Sequence, residues 1–442
     1  MREREALEIA AAAVDLARAA GAHAEATVSI ARRFHTEARD TTISKLEQSI
    51  GSSLHVRLYR DGRRASLSTS DFSREGLERA MRAAVDQCAV VASDPLAALP
   101  EVCGAFEGDL ALCDDALAQR DDAAKIDDVL QLEQLVRSAD ERIRNSSGSH
   151  YSDAVVTTAL ANTAGFARAY TGSRAMRSSA PVAEAHGTKR VGHYGTAARA
   201  LRDLEGNEAV AALAARRAVE LFGAKKPATM RVPVIFERDI AASVIDDLFA
   251  AVNAANVAVG NSWLAQRVGE RVGSELVSIV DDGTLPGKLG SSPFDGEGVP
   301  TRRTPVFERG VLKTFLFDTY YARKLGAAST GNSSGGGIGS NNFYLEPGTS
   351  TLEALIASTQ RGVFVLETIG FATEHATGTY SRGARGFLIE NGELTAPIDE
   401  FTIAGDFAEM LAAIDGVAND LRFDGAVVSP SFRVAEMTIS GN

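Results

Sequence analysis

Apolar residues recur at helical spacing in the first twenty positions, where Leu7, Ala11 and Val14 share one face and Gly21 follows as a terminator. The period then switches to two. Val28 and Ile30 alternate with Thr27 and Ser29, and Leu54, Val56 and Leu58 alternate with His55, Arg57 and Tyr59, as half-buried strands require. Asp61-Gly62 supplies a hairpin turn into a strand at 65–70. Asp71 or Ser73 then caps a helix carrying the stripe Leu77, Met81, Ala84, Cys88 and Val91. After a proline-bearing connector at 93–115 the alternation repeats. A helix is predicted over 121–144, strands over 151–161 and 166–172 about an Asn162–Gly165 turn, and a helix over 207–222.

Gly223-Ala-Lys-Lys-Pro227 marks the clearest boundary, because glycine ends the helix and proline cannot continue it. Beyond it the pattern predicts a strand over 232–236 and a helix over 239–252. Hairpin turns are predicted at Asp281-Asp-Gly283, Glu308-Arg-Gly310 and Asn391-Gly392, and short helices at 318–325, 351–359 and 406–414. The expected fold class is α+β. An N-terminal mixed α/β region covers 1–222, with units at about 1–95 and 115–222. A strand-rich C-terminal domain of mostly antiparallel sheet covers 228–442.

Composition narrows the function classes. The 442 residues, 45% hydrophobic and 24% charged, can bury more than one core. A formal charge of −12 argues against nucleic-acid binding and against docking on an anionic membrane by charge. No apolar run approaches the ~18 residues of a spanning helix, and the first one, from Ile9 to Val14, is stopped by Asp15, so a cytoplasmic chain is expected. Cys88, Cys103 and Cys113 form no CxxC pair and fit reduced thiols.

Candidate chemistry is mostly excluded by context. Gly331-Asn-Ser333-Ser-Gly335 matches GxSxG, but Gly336, Gly337 and Gly339 follow where a nucleophile elbow needs a helix. Gly283 to Lys288 is one residue short of a phosphate loop, and Leu289 replaces the magnesium-binding hydroxyl. The many adjacent acids, Asp246-Asp247 among them, do not converge on one atom by adjacency alone. Histidines 23, 35, 55, 150, 186, 193 and 375 include no pair within five residues, so no helical metal pair exists. His186 and His193, with Gly187 and Gly192 between them, could meet only across a hairpin.

The C-terminal half carries a resemblance. Asp281-Asp-Gly-Thr-Leu-Pro-Gly287, Ser292-Pro-Phe-Asp-Gly-Glu-Gly-Val299, Tyr321-Ala-Arg-Lys-Leu-Gly326, Thr377-Gly-Thr-Tyr-Ser-Arg-Gly383, Gly386-Phe-Leu-Ile-Glu-Asn-Gly392 and Phe401-Thr-Ile-Ala-Gly405 occur in order. Together they resemble the TldD/PmbA (TldE) family of peptidase-related proteins, and the likeness extends over essentially the whole chain. The TldD branch is similar to a zinc metalloprotease with His-Glu-x-x-x-His on a helix and a later cysteine ligand. Here that helix falls at 239–252, where Asp246 and Asp247 stand near the His-Glu pair and Ala251 near the second His. No cysteine follows residue 113.

The chain therefore resembles the PmbA/TldE branch, the metal-free partner. That resemblance implies a subunit with no catalytic and no metal-binding residue of its own. It would pair with a TldD-like chain that carries the zinc, and the pair would admit unfolded peptides. Gly331, Asn332, Tyr380, Ser381 and Arg382 are the candidates for lining its substrate channel. The alternative is a stand-alone homodimeric peptide-binding protein without proteolysis. A third possibility is a hydrolase that uses Ser333 or the Asp246/Asp247 pair.

Overall fold

The computed structural model describes residues 2–370 and 373–441. Helix α1 (Arg2–Ala19) buries Ala6, Ala10, Ala13, Val14 and Ala17, a small-residue stripe that brings its backbone close to the sheet beneath. Three antiparallel strands follow, β1 (His23–Arg39), β2 (Thr42–Arg60) and β3 (Arg63–Thr69), with Asp61-Gly62 forming the expected turn at positive φ. Helix α2 (Arg74–Val90) is capped by Ser73, whose side chain accepts the Gly76 N–H.

Beyond the connector come α3 (Asp115–Ala118), α4 (Asp122–Ser138), β4 (Ile143–Asn162), β5 (Ala167–Ala185), β6 (Thr188–Val191), β7 (Tyr194–Ala198) and α5 (Asn207–Val219). Because β4 pairs antiparallel with β1, from Glu25 opposite Asn162 to Ala38 opposite Ser149, the stretches 1–95 and 115–222 share one sheet. Its order is β3-β2-β1-β4-β5-β6, with β7 also on β5. Ala24, Ala26, Val28, Ile30 and Phe34 of β1 pack under the helices, so the alternate side chains, from Thr27 to Glu37, point to the opposite face.

Two expectations differ here. Helix α4 stops at Ser138 rather than at 144, because the Asp140 carboxylate accepts the Arg142 N–H (2.9 Å) and its guanidinium (2.8 and 2.7 Å), which fixes a turn. Strands β4 and β5 are far longer than the predicted segments. Their Ser-, Gly- and Arg-rich ends carry no clear apolar alternation, and pairing with equally long neighbours holds them extended.

The C-terminal half begins with β8 (Met230–Phe236), α6 (Arg238–Val252) and α7 (Ala254–Ala258). Then come β9 (Ile279–Asp282), β10 (Arg303–Glu308), β11 (Val311–Leu312), α8 (Thr319–Leu325), β12 (Phe343–Leu345) and α9 (Leu352–Ala357). The chain closes with β13 (Arg361–Ile369), β14 (Thr373–Glu374), β15 (Thr379–Glu390), β16 (Glu393–Asp406), α10 (Phe407–Ala412), β17 (Ile414–Val417), β18 (Val427–Val428) and β19 (Phe432–Ser440). One sheet runs β13-β8-β19-β16-β15-β14 with β17 on β19, and β13 also pairs with β15, which closes the path on itself and removes two free edges. A second sheet runs β11-β10-β9-β12-β18. Both contain mostly antiparallel pairs, so the α+β assignment holds.

The turns at Arg309-Gly310 and Asn391-Gly392 close hairpins as expected, with Glu308 opposite Val311 and Glu390 opposite Glu393. Asp281-Asp-Gly283 does not. Asp281 lies inside β9, opposite both Thr304 and Phe343, and is fully buried at the centre of the five-stranded sheet. Among the described residues, no helix is long and apolar enough to cross a membrane.

Candidate functional site

A cleft separates the helix-free face of the N-terminal sheet from the loops of the C-terminal half. It contains two cavities, of about 580 and about 740 Å³, that share His55, Arg57 and Gly335 as lining residues. The sheet side offers Thr27, Thr158 and Tyr170, and the loop side offers Asp295, Gly296 and Ser333.

Arg57 joins the two halves. Its guanidinium donates to the Gly296 carbonyl (2.6 Å), lies 3.8 Å from the Glu297 carboxylate and contacts Glu25 in an ion pair, while the Tyr59 hydroxyl donates to Glu25 at 2.9 Å. Asp295 closes the turn opposite, accepting the N–H groups of Glu297, Val299 and Ser333 at 2.9 Å each. Burial pushes the Glu25 carboxyl up to about 7 against the opposing pull of Arg57. Burial, with the Glu297 charge beside it, pushes Asp295 up to about 7. The alternation of β2 placed Arg57 on a strand, but no sequence signal marked its partners, which lie about 240 residues away or on a neighbouring strand.

A pH dependence follows. Between about pH 4.5 and 7 the folded chain keeps the Glu25 proton while the unfolded chain releases it. The unfolded state then binds fewer protons, so stability falls as pH rises across that window. Comparing urea unfolding of the native chain and Glu25→Gln at both ends of the window should show a fall larger in the native chain by about 3 kcal/mol. Parallel profiles would remove Glu25 as the titrating group.

The glycine-rich segment 331–342 forms the lip between the cavities. Asp281 pins its ends: one carboxylate oxygen accepts the Asn332 and Asn341 side-chain amides (2.7 and 2.9 Å) and the other accepts the Asn341 N–H (2.9 Å). Gly331 is at φ 76°, and a Cβ there would meet the Pro300 carbonyl at 2.6 Å, so only glycine fits. A Cβ at Gly335, Gly336 or Gly337 would meet nothing within 4 Å, so this tip stands clear in the cleft. Ser333 bridges Ile338 across a short loop, and no helix follows it, so the strand–turn–helix context of a nucleophile elbow is missing.

The remaining expected channel residues separate. Tyr380 is fully buried, edge-on to Phe236 and Phe407, and packs the core instead of facing a channel, because its side of β15 faces inward. Asn332 is also buried and serves to tie the loop. Arg382 is not free to grip a peptide: its guanidinium donates to Asp247 at 2.5 Å, and Asp247 also accepts the Thr373 hydroxyl at 3.0 Å. Ser381 is half-buried on β15.

Helix α6 sits where expected. Asp246 is exposed on it, Asp247 is half-buried and paired, and Ala251 is fully buried, so the three side chains do not converge. Partial loss of solvent raises both carboxyls, with the Arg382 charge opposing. His186 occupies the β5–β6 turn at φ 51° and His193 follows β6, so that hairpin does not pair them.

Comparison with known proteins agrees with this architecture. Three models of the PmbA/TldA metallopeptidase match in order: domain 1 over 24–88, the central domain over 115–222 and the C-terminal domain over 229–441. A metalloprotease PmbA homolog of Haemophilus influenzae is 32% identical, covering 100% of this chain and 97% of its own. Metalloprotease PmbA of Escherichia coli O157:H7 is 31% identical, covering 98% and 96%. A Bacteroides thetaiotaomicron protein described as a modulator of DNA gyrase superposes with TM-score 0.92 at 26% identity, covering 98% of each chain. TldE of Thermococcus kodakarensis, at 24% identity and TM-score 0.87 over 95% of this chain and 97% of its own, shares the fold. Domain order, full-length identity and superposition agree, and the chain belongs to the PmbA/TldD family.

Proposed function

We propose that this chain is the non-catalytic, TldE-like subunit of a cytoplasmic zinc metalloprotease. A TldD-like partner supplies the metal and the general base, and the substrate is an unfolded peptide. The observation that carries this reading is helix α6. Where the TldD branch is expected to present His-Glu-x-x-x-His, this helix presents Asp246, Asp247 and Ala251, and a fixed cation, Arg382, neutralises Asp247. Asp247 Oδ2 is committed to the Arg382 guanidinium and the Thr373 hydroxyl, and carboxylates alone are poor ligands for a borderline metal.

The cleft gives the subunit a place to contribute. Its free glycine tip and the polar floor around His55 and Thr158 suit an extended backbone, whereas a folded chain is too wide for cavities of this size.

The test is peptide cleavage by the purified chain, by a TldD-like partner and by the co-expressed pair. An unstructured peptide should be cut by the pair and left intact by this chain alone. Co-purification with cleavage supports the subunit reading. A homodimer that binds peptide and ignores the partner supports the stand-alone alternative. Cleavage by the isolated chain at the rate of the pair would overturn the proposal.

A further inference from the structure

On the face of the N-terminal sheet away from its helices, strand pairing gathers two imidazoles and a carboxylate. His35 and Glu37 are two residues apart on β1 and so point the same way, and Glu37 lies directly opposite His150 of β4. One donor atom from each of the three lies within 4.8 Å of the others, and all three residues are half-buried. From these contacts we infer that His35, Glu37 and His150 form a binding site for a divalent zinc-like cation. The site is separate from helix α6 and independent of the subunit reading.

Three features favour a metal over an ordinary polar cluster. None of the three side chains makes a hydrogen bond within the described structure, and the approach of His150 to Glu37, 3.8 Å, is too long to be one. No hydrogen bond within the described structure therefore holds their lone pairs, and the polar contact among them is the ion-pair approach of Glu37 to His150. The lysine paired with Glu37 across the strands is already engaged: Lys45 on β2 holds Glu47 at 3.1 Å. Glu133 is also committed, to the Ser146 and Ser149 hydroxyls at 3.1 and 2.8 Å.

The third feature is Gly148. At φ 123° it takes a conformation open chiefly to glycine, and a Cβ there would press to 3.0 Å from Glu37 Oε1 and 3.2 Å from His150 Nε2. The missing side chain keeps clear the space in front of two of the donors. The two imidazole rings stack at 5.9 Å and 25°.

The donor set specifies the cation. Two neutral imidazoles and one carboxylate match the three protein ligands of a tetrahedral zinc site with a water in the fourth position. Imidazole selects zinc over magnesium or calcium, which take oxygen donors. The ion would strap β1 to β4 and stiffen the sheet that forms the floor of the cleft.

The test uses the full chain, stripped with EDTA and dialysed against zinc sulfate. The native protein should retain one more equivalent of zinc than the His35→Ala/His150→Ala double variant, by elemental analysis. Both proteins keep Cys88, Cys103 and Cys113, so thiol-bound zinc cancels in the difference. Glu37→Gln should weaken zinc at least tenfold in a chelator competition, since it exchanges an anionic ligand for a neutral amide. Cobalt in place of zinc should give a d–d spectrum without a thiolate charge-transfer band. If the double variant fails to fold, His150→Gln replaces it in the same comparison. Equal zinc in native and variant proteins, or a cobalt spectrum dominated by thiolate, would overturn the inference.

Discussion

Arg57→Met should destabilise the chain by about 3–5 kcal/mol at alkaline pH, the usual cost of removing one partner from a buried ion pair. Methionine keeps most of the arginine stem, so packing survives and the charge is what is lost. Glu25 and Glu297 then remain buried without their cation, and the Gly296 carbonyl loses a donor that spans the two halves. The loss should shrink near pH 5, where Glu25, pushed up to about 7 even with Arg57 present, takes a proton and no longer needs a counter-ion. Urea denaturation of native and variant chains at both pH values measures the difference. A loss of equal size at both would mean that the hydrogen bond to the Gly296 carbonyl, and not the pairing with Glu25, is the dominant contribution.

Asp281→Ala should act on the lip of the cleft. The substitution leaves the Asn341 N–H without an acceptor and takes one of two partners from the Asn332 and Asn341 side-chain amides, which keep the Gly339 and Gly331 carbonyls. The one stranded donor costs about 1–3 kcal/mol and the two lost amide bonds add about 0.5–1.5 kcal/mol each, so a total of about 2–6 kcal/mol is expected. The more specific consequence is local. With its ends unpinned, 331–342 should exchange amide hydrogens faster than the surrounding sheet, and on the proposed subunit reading peptide cleavage by the co-expressed pair should fall with it. Unchanged exchange in this segment would show that the glycine-rich loop holds its shape without Asp281.

Much of the architecture was legible from residue order. The turns at Asp61-Gly62, Arg309-Gly310 and Asn391-Gly392 were readable because each demands left-handed backbone that few residues accept. Helix α6 and the short helices α8, α9 and α10 were readable from local caps and periodicity, since the hydrogen bonds of a helix close within four residues. The spaced blocks of the C-terminal half were enough to suggest the family.

Other features depended on neighbours that no local pattern names. Asp281-Asp-Gly283 has the composition of a turn, yet β10 and β12 arrive from later in the chain and make Asp281 the buried anchor of a loop. Tyr380 and Arg382 share a face of β15, the guanidinium 5.5 Å from the ring centroid, yet one is sealed in the core and the other is tied to α6.

The sequence by itself determined the glycine turns, the helices α6, α8, α9 and α10, the family and the absence of histidine from α6, because those are properties of composition and of contacts a few residues long. Only the tertiary structure decided which polar groups meet. His35 and His150 share no recognisable spacing, and the antiparallel register of β1 on β4 sets them side by side next to Glu37. Register is a long-range choice made by the whole sheet, so a site built across strands has no signature along the chain.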